Sequence, residues 1–155
     1  MSIVREFLTD DTEPVNLIMT TCTQELRKVY GPKPATKRVS KIQPNSSRIV
    51  AVSPKDTVVG VAECIHRELA LYVQGIAVAP TYRRRGVATD LLAHCNSLAA
   101  DAGLNVLEIA TIKETGNAEL FCRLGFFVID ERVSDHFWHH DKQPVTEVTL
   151  RRHVT

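Results

Sequence analysis

The chain has 155 residues, 44% of them hydrophobic and 24% charged, with a formal net charge of +1. That length is enough to bury a real core, and the expectation is one domain over residues 1–155. The balanced charge excludes an overall basic nucleic-acid binder and an acidic tail, so any charge effect has to be local.

The longest nearly apolar run, Leu69 to Pro80, is interrupted by Gln74 and falls short of the roughly 20 residues that cross a bilayer. The opening "MSIVREFLTDD" lacks the basic and apolar regions of a secretory signal. These features point to a soluble cytoplasmic protein with no membrane partner. Cys22, Cys64, Cys95 and Cys122 are widely spaced with no CxxC pair, which argues against a zinc or redox motif. They read as reduced, buried, small apolar residues.

In chain order, "SIVREFL" (2–8) alternates as a first strand, and Asp10, Asp11 and Thr12 before Pro14 form a helix start. The helix is expected to run to about Tyr30 and to stop at Gly31-Pro32. Residues 31–47, with three prolines, read as a long surface loop. "RIVAVS", "TVVGVAECI" and "LALYVQGIAV" then form an antiparallel meander, with His66 in a turn. Between Gly86 and Ala102 the apolar residues Val87, Leu91, Leu92, Cys95, Leu98 and Ala99 recur at helical spacing, and Gly103 closes the helix. "NVLEIATI" follows as a strand parallel to the one ending at Val78, because a crossover helix precedes it. "AELFCRL" reads as a short helix, and "FFVIDERV" and "VTEVTLRR" as the last two strands.

Arg83, Arg84 and Arg85 stand where the apolar strand gives way to the long helix. A short charge run is ordinarily a solvated turn. At this position it also suits an anion, because a helix N-terminus presents unpartnered N–H groups and the positive end of the helix dipole. Gly86 permits close backbone approach and Ala88 keeps the next contact small. The chain contains no GxxxxGK followed by Ser or Thr, and no GxGxxG after the first strand, so an NTPase loop and a dinucleotide fingerprint are excluded.

Arg83-Arg84-Arg85-Gly86-Val87-Ala88 resembles the Gln/Arg-x-x-Gly-x-Gly/Ala signature of the GNAT acetyltransferase superfamily. "GIAVAPTYRRRGVATDLL" is similar to that family's strand, proline, loop and helix in register, and "LFCRLGF" resembles its later "LYxxLGF". The resemblance implies an α/β (α+β) fold with a mixed, mostly antiparallel sheet of about seven strands, flanked by helices. A splayed parallel pair in that sheet would form the coenzyme A cleft. It also implies acetyl-CoA as cosubstrate. Ile76, Ala77 and Val78 would offer strand backbone to the pantetheine arm, with the Val78 N–H at the thioester oxygen. The amides from Arg84 to Thr89 would hold the pyrophosphate, with Val87, Ala88 and the side chains of Arg83, Arg84 and Arg85 close by. Phe121 would border the coenzyme, standing where the family often has a tyrosine that protonates the departing thiolate; phenylalanine has no proton to give.

Family members often carry an asparagine about two helical turns before that tyrosine, whereas Asn117 lies only four residues ahead of Phe121 and reads as the N-cap of a shortened helix. Glu108 in "VLEIAT" is the first choice for a general base and Glu63 the second, each also readable as an ordinary strand carboxylate. "HFWHHD" (136–141) has histidines at helical spacing but is expected between two strands, so no metal is assigned. Phe137 and Trp138 would line the acceptor cleft or a subunit contact. Two functions follow: N-acetyl transfer by direct attack on a small-molecule or peptide amine, or an acyl-CoA-binding sensor that has lost chemistry. A homodimer is left open, and no nucleic-acid partner is expected.

Overall fold

The computed structural model describes residues 1–34 and 45–155. It begins with β1 (Ile3–Glu6), one turn of 3-10 helix at Thr9–Asp11 and α1 (Thr12–Arg27). Asp11 sets this corner. Its carboxylate takes both arms of the Arg5 guanidinium at 2.7 and 3.0 Å and the Leu8 N–H at 2.7 Å. These bonds hold its pKa below the usual carboxylate value.

α1 stops before the expected Tyr30, and Tyr30–Pro32 is a short strand, β2. The helix ends at Arg27, so Gly31-Pro32 is not its stop but part of β2, where the Tyr30 ring meets Phe137 edge-on at 5.3 Å. A proline is tolerated there, since β2 is the outermost strand of the sheet. The middle of the expected 31–47 loop lies outside the described residues.

β3 (Ser46–Val52), β4 (Val58–His66) and β5 (Leu71–Val78) form the antiparallel meander, and His66 is the last residue of β4, paired with Leu71. α2 (Val87–Asp101) crosses to β6 (Val106–Ile112), which runs parallel to β5. α3 (Asn117–Arg123), β7 (Phe127–His139) and β8 (Pro144–His153) complete the chain. Among the described residues the sheet has eight strands in the order β1-β3-β4-β5-β6-β8-β7-β2. The sequence suggested about seven, because β2 was read as loop. β7 is also longer than expected. It takes in His136 to His139, and its second half pairs with β2.

The sheet separates two apolar layers. Ile49, Cys64, Leu71, Val73, Leu107 and Leu150 face α2 and α3, whereas Val50, Val52, Val61 and Ala77 face Val15 and Ile18 of α1. Cys64 and Cys95 are buried with their sulfurs 3.4 Å apart. The expectation of four buried thiols fails for the other two: Cys22 is half-buried and Cys122 exposed. Among the described residues no helix is long and apolar enough to cross a membrane.

Gly60 on β4 lets α2 come this close. A Cβ there would lie 2.7 Å from Val87 Cγ1 and 3.2 Å from Leu91 Cδ1. Gly60→Val should therefore lower stability by about 1–3 kcal/mol through overpacking, which thermal unfolding reads as a Tm lower by several degrees. An unchanged Tm would mean that α2 can move away from β4 at little cost.

Candidate active site

The centre of the sheet opens along one line. Among the described residues β5 and β6 pair at Leu71↔Leu107 and Tyr72↔Glu108, and no further up. β6 stays paired with β8 along its whole length on the other edge. The cause lies in β5. Val73 and Ile76 both face α2, three residues apart, which simple alternation forbids unless a residue is inserted. The insertion is Gly75, at φ +62°, where the register with β4 jumps from Glu63↔Gln74 to Val61↔Ala77. Glycine takes this left-handed geometry without Cβ strain.

Above the bulge, the Ala79 N–H donates to the Val59 carbonyl at 2.9 Å. Strand alternation then turns the N–H groups of Ile76 and Val78 away from β4, toward the opening. The Val78 carbonyl on that edge accepts from Arg83 Nε at 3.3 Å and from the Cys22 thiol at 3.6 Å.

The opening leads up to the start of α2. Arg84 has φ +62° and Gly86, the N-cap, φ +83°. No side chain caps the helix, and its first bond runs from the Asp90 N–H to the Gly86 carbonyl at 2.9 Å. The N–H groups of Val87, Ala88 and Thr89 are thus left without carbonyl partners in the helix. A Cβ built on Gly86 would meet nothing within 4 Å, so the space above this loop is clear. Bare amides, a positive helix end and strained backbone at Arg84 together suit an anion.

A sequence model of the acetyltransferase (GNAT) family matches residues 14–126. The chain belongs to that family. Solved structures with the same fold include the spermidine N-acetyltransferase of Vibrio cholerae, in complex with CoA and spermine. Its TM-score is 0.75 at 13% identity, over 99% of this chain and 95% of that one. A putative streptothricin acetyltransferase of Bacillus anthracis, in complex with acetyl coenzyme A, has a TM-score of 0.73 at 13% identity over 99% of both chains. The ribosomal-protein-S18-alanine N-acetyltransferase of Escherichia coli has a TM-score of 0.68 at 15% identity, over 100% of this chain and 95% of that one. A comparison with curated proteins gives no significant match.

Acetyl-CoA is therefore the cosubstrate of this GNAT chain, and the uncapped helix start and the splayed β5 edge fit its pyrophosphate and its amide-bearing arm. The three arginines do not act alike. The Arg83 guanidinium turns from the loop to α1, where it grips Glu25 with two bonds of 2.7 and 2.8 Å. Arg85 lies over the Tyr82 ring, 5.3 Å from its centroid, and Arg84 is exposed.

Glu108 and Glu63 both project on the α1 side of the sheet, opposite Leu107 and Cys64. Glu108 lies at the unsplit end of the opening, 17% exposed, and Oε2 accepts from both Nε and Nη2 of Arg151 at 3.3 Å. Glu63 lies beside the bulge, and its carboxylate meets the Gln74 amide at 3.4 Å. Tyr72, next to Glu108 in register, was missed by sequence reading. It is half-buried under Arg67, 3.9 Å from the guanidinium to the ring centre, and burial raises its pKa. Its only sequence signal was its parity with Gln74.

Phe121 is half-buried against the α2-side core and contacts Phe126 edge-on at 5.9 Å. Asn117 is the first residue of α3 and Gly116 its N-cap, so the reading of Asn117 as the cap is corrected. The Thr115 hydroxyl receives the Asn117 N–H at 3.2 Å. His139 pairs with Asp141 at 2.8 Å. Two other surface depressions, one between α2 and the end of β8 and one beside α3, include no residue of β5 or of the arginine loop.

A ligand that binds only the folded chain raises its Tm by mass action. CoA should do so here, and Gly86→Val should remove most of the shift, because a branched side chain would stand among the bare amides at a φ it disfavours. A full shift in the variant would place the phosphates elsewhere.

Proposed function

We propose that this acetyltransferase is an N-acetyltransferase that passes acetyl from acetyl-CoA to a primary amine by direct attack in a ternary complex. The observation that carries the proposal is the opening of β5 away from β6 at Gly75, directly below the uncapped start of α2. The amides from Arg84 to Thr89 hold the pyrophosphate. The pantetheine arm then runs down β5 as an added strand.

The length of the arm says which strand N–H meets the thioester. Val87 touches the Gly60 position, and Gly60 pairs with Val78, so the phosphates sit level with the top of β5. From phosphate to sulfur the arm spans roughly four extended residues, about 14 Å. That reach carries the thioester below Val78, and Ile76 is the lowest N–H above the bulge that faces the opening, so Ile76 is the oxyanion donor and Val78 is left to an amide of the arm.

The amine approaches from the α1 side, the face on which Glu63 and Glu108 project. Its lone pair attacks the carbonyl carbon, a C–N bond forms, the C–S bond breaks, and the ammonium proton passes to a carboxylate. Glu63, beside the bulge and bound only to an amide, is placed to receive it. Glu108, held by Arg151, stands about four residues below Ile76, roughly 13 Å along β5. The acceptor class covers small amines and peptide amino groups, since neighbours with this fold are named for both.

Phe121 favours a second reading, an acyl-CoA-binding sensor without chemistry. A panel of amines assayed for free-thiol release separates the two, because a sensor binds acetyl-CoA and releases no thiol with any amine.

With an active amine in hand, Glu63→Gln should lower kcat more than it weakens CoA binding, and the deficit should shrink at high pH, where more of the amine is neutral. Glu108→Gln should show no such recovery. The opposite pattern would return the base role to Glu108.

If the missing donor limits thiolate departure, Phe121→Tyr should raise kcat with little change in CoA affinity, since general acids contribute roughly 10²–10⁴-fold where proton transfer is limiting. A flat rate would mean that water or another group already supplies the proton. A fall with the fold intact would mean that an apolar ring is itself needed beside the thioester.

A further inference from the structure

The Arg83 guanidinium has five N–H donors in a fixed fork. Four contacts occupy it: Nη1 and Nη2 on the two oxygens of Glu25 at 2.7 and 2.8 Å, Nη2 also on the Cys22 sulfur at 3.4 Å, and Nε on the Val78 carbonyl at 3.3 Å. Glu25 and Cys22 stand on successive turns at the C-terminal end of α1, and Val78 is the last residue of β5. The first arginine of the triplet thus joins the end of the coenzyme strand to the helix that covers the other face of the sheet. The fork-on-carboxylate geometry is one that lysine cannot reproduce. The pair is well defined chemically too: Glu25 holds the Arg83 pKa above its ordinary value, and Arg83 holds the Glu25 carboxyl below its own.

We infer that Arg83 is a positioning residue and not a phosphate ligand: it locks the end of α1 against the tip of β5, fixing the wall past which the acceptor reaches the thioester. This rests on the reading of the loop as the coenzyme site. The phosphates are left to the loop amides and to Arg84 and Arg85, whose side chains are exposed. Beside this pair, the upper part of α1 is tied to the corner by the Cys22 thiol on the Val78 carbonyl at 3.6 Å and by the partly buried Met19 and Cys22, whereas its fully buried residues, Val15 and Ile18, lie in its first half.

Four variants test it: Arg83→Gln, Arg83→Lys, Glu25→Gln and, as a control, Arg84→Gln. CoA binding is measured by calorimetry at two salt concentrations, and amide hydrogen exchange is followed over residues 19–27 without ligand. All three lock variants should leave the CoA Kd within about three-fold of the unaltered chain and speed exchange in that segment by at least about three-fold. With an amine from the panel, they should raise its KM more than they lower kcat. Arg84→Gln should weaken CoA and flatten the salt dependence without changing α1 exchange.

A CoA Kd weakened beyond three-fold in Arg83→Gln but kept in Arg83→Lys would make Arg83 a phosphate ligand and overturn the inference. So would unchanged exchange in the three lock variants. If the unaltered chain fails to bind CoA, the coenzyme reading falls, while the exchange measurement still decides whether the lock exists.

Discussion

The site depends on a strand that keeps its hydrogen bonds along one edge and gives them up along the other. β5 is paired with β4 through most of its length, but leaves β6 after Tyr72↔Glu108. Unpaired backbone groups in the middle of a sheet are costly unless water or a ligand satisfies them. A molecule that carries its own amides can complete the ladder, so the same groups that weaken the free sheet create affinity for an extended arm. Gly75 makes this affordable in conformational terms, since its φ of +62° inserts one residue without Cβ strain. The insertion also changes which face each side chain occupies. Below it Tyr72 and Gln74 face α1; above it Ala77 does, and Ile76 and Val78 pack toward α2.

Three adjacent arginines on a nearly neutral chain would look interchangeable if charge alone mattered. The backbone separates them. Arg83 ends its 3-10 turn extended, at φ −69° and ψ 154°, and its side chain turns to α1. Arg84 at φ +62° turns the chain toward the uncapped helix. The strain at Arg84 accordingly lies where an anion can compensate it, whereas Arg83 already has a counter-ion. Local charge at a helix start thus divides into an amide cradle, two solvent-facing cations and one structural tie.

Much of this was legible in the sequence because it has local causes. The meander, the helix from Val87 and the parallel β6 follow from periodicity, punctuation and the crossover rule. The glycine-led, uncapped start of α2 follows from where Gly86 stands. What was not legible depends on distant partners. Nothing near Tyr30 says that Phe137 will draw it into a strand, so β2 and the second half of β7 were read as loop. Glu25 gives no sign of the arginine that will bind it, since the two are 58 positions apart in sequence. Gly75 is a glycine in a strand, a known bulge signal that sequence reading missed, and its effect on the parity of Ile76 appears only once both faces are packed.

The two carboxylates show how much that parity matters for chemistry. Glu63 and Glu108 both reach the α1 side, flanking β5 on either hand, and composition cannot tell them apart. Their partners do. Glu108 Oε2 already accepts two hydrogen bonds from Arg151, which tie it toward β8. Glu63 makes one described contact, to the Gln74 amide of β5, so its partner belongs to the strand that borders the cleft. The carboxylate with the weaker partner is thus also the one nearest the bulge that opens the cleft.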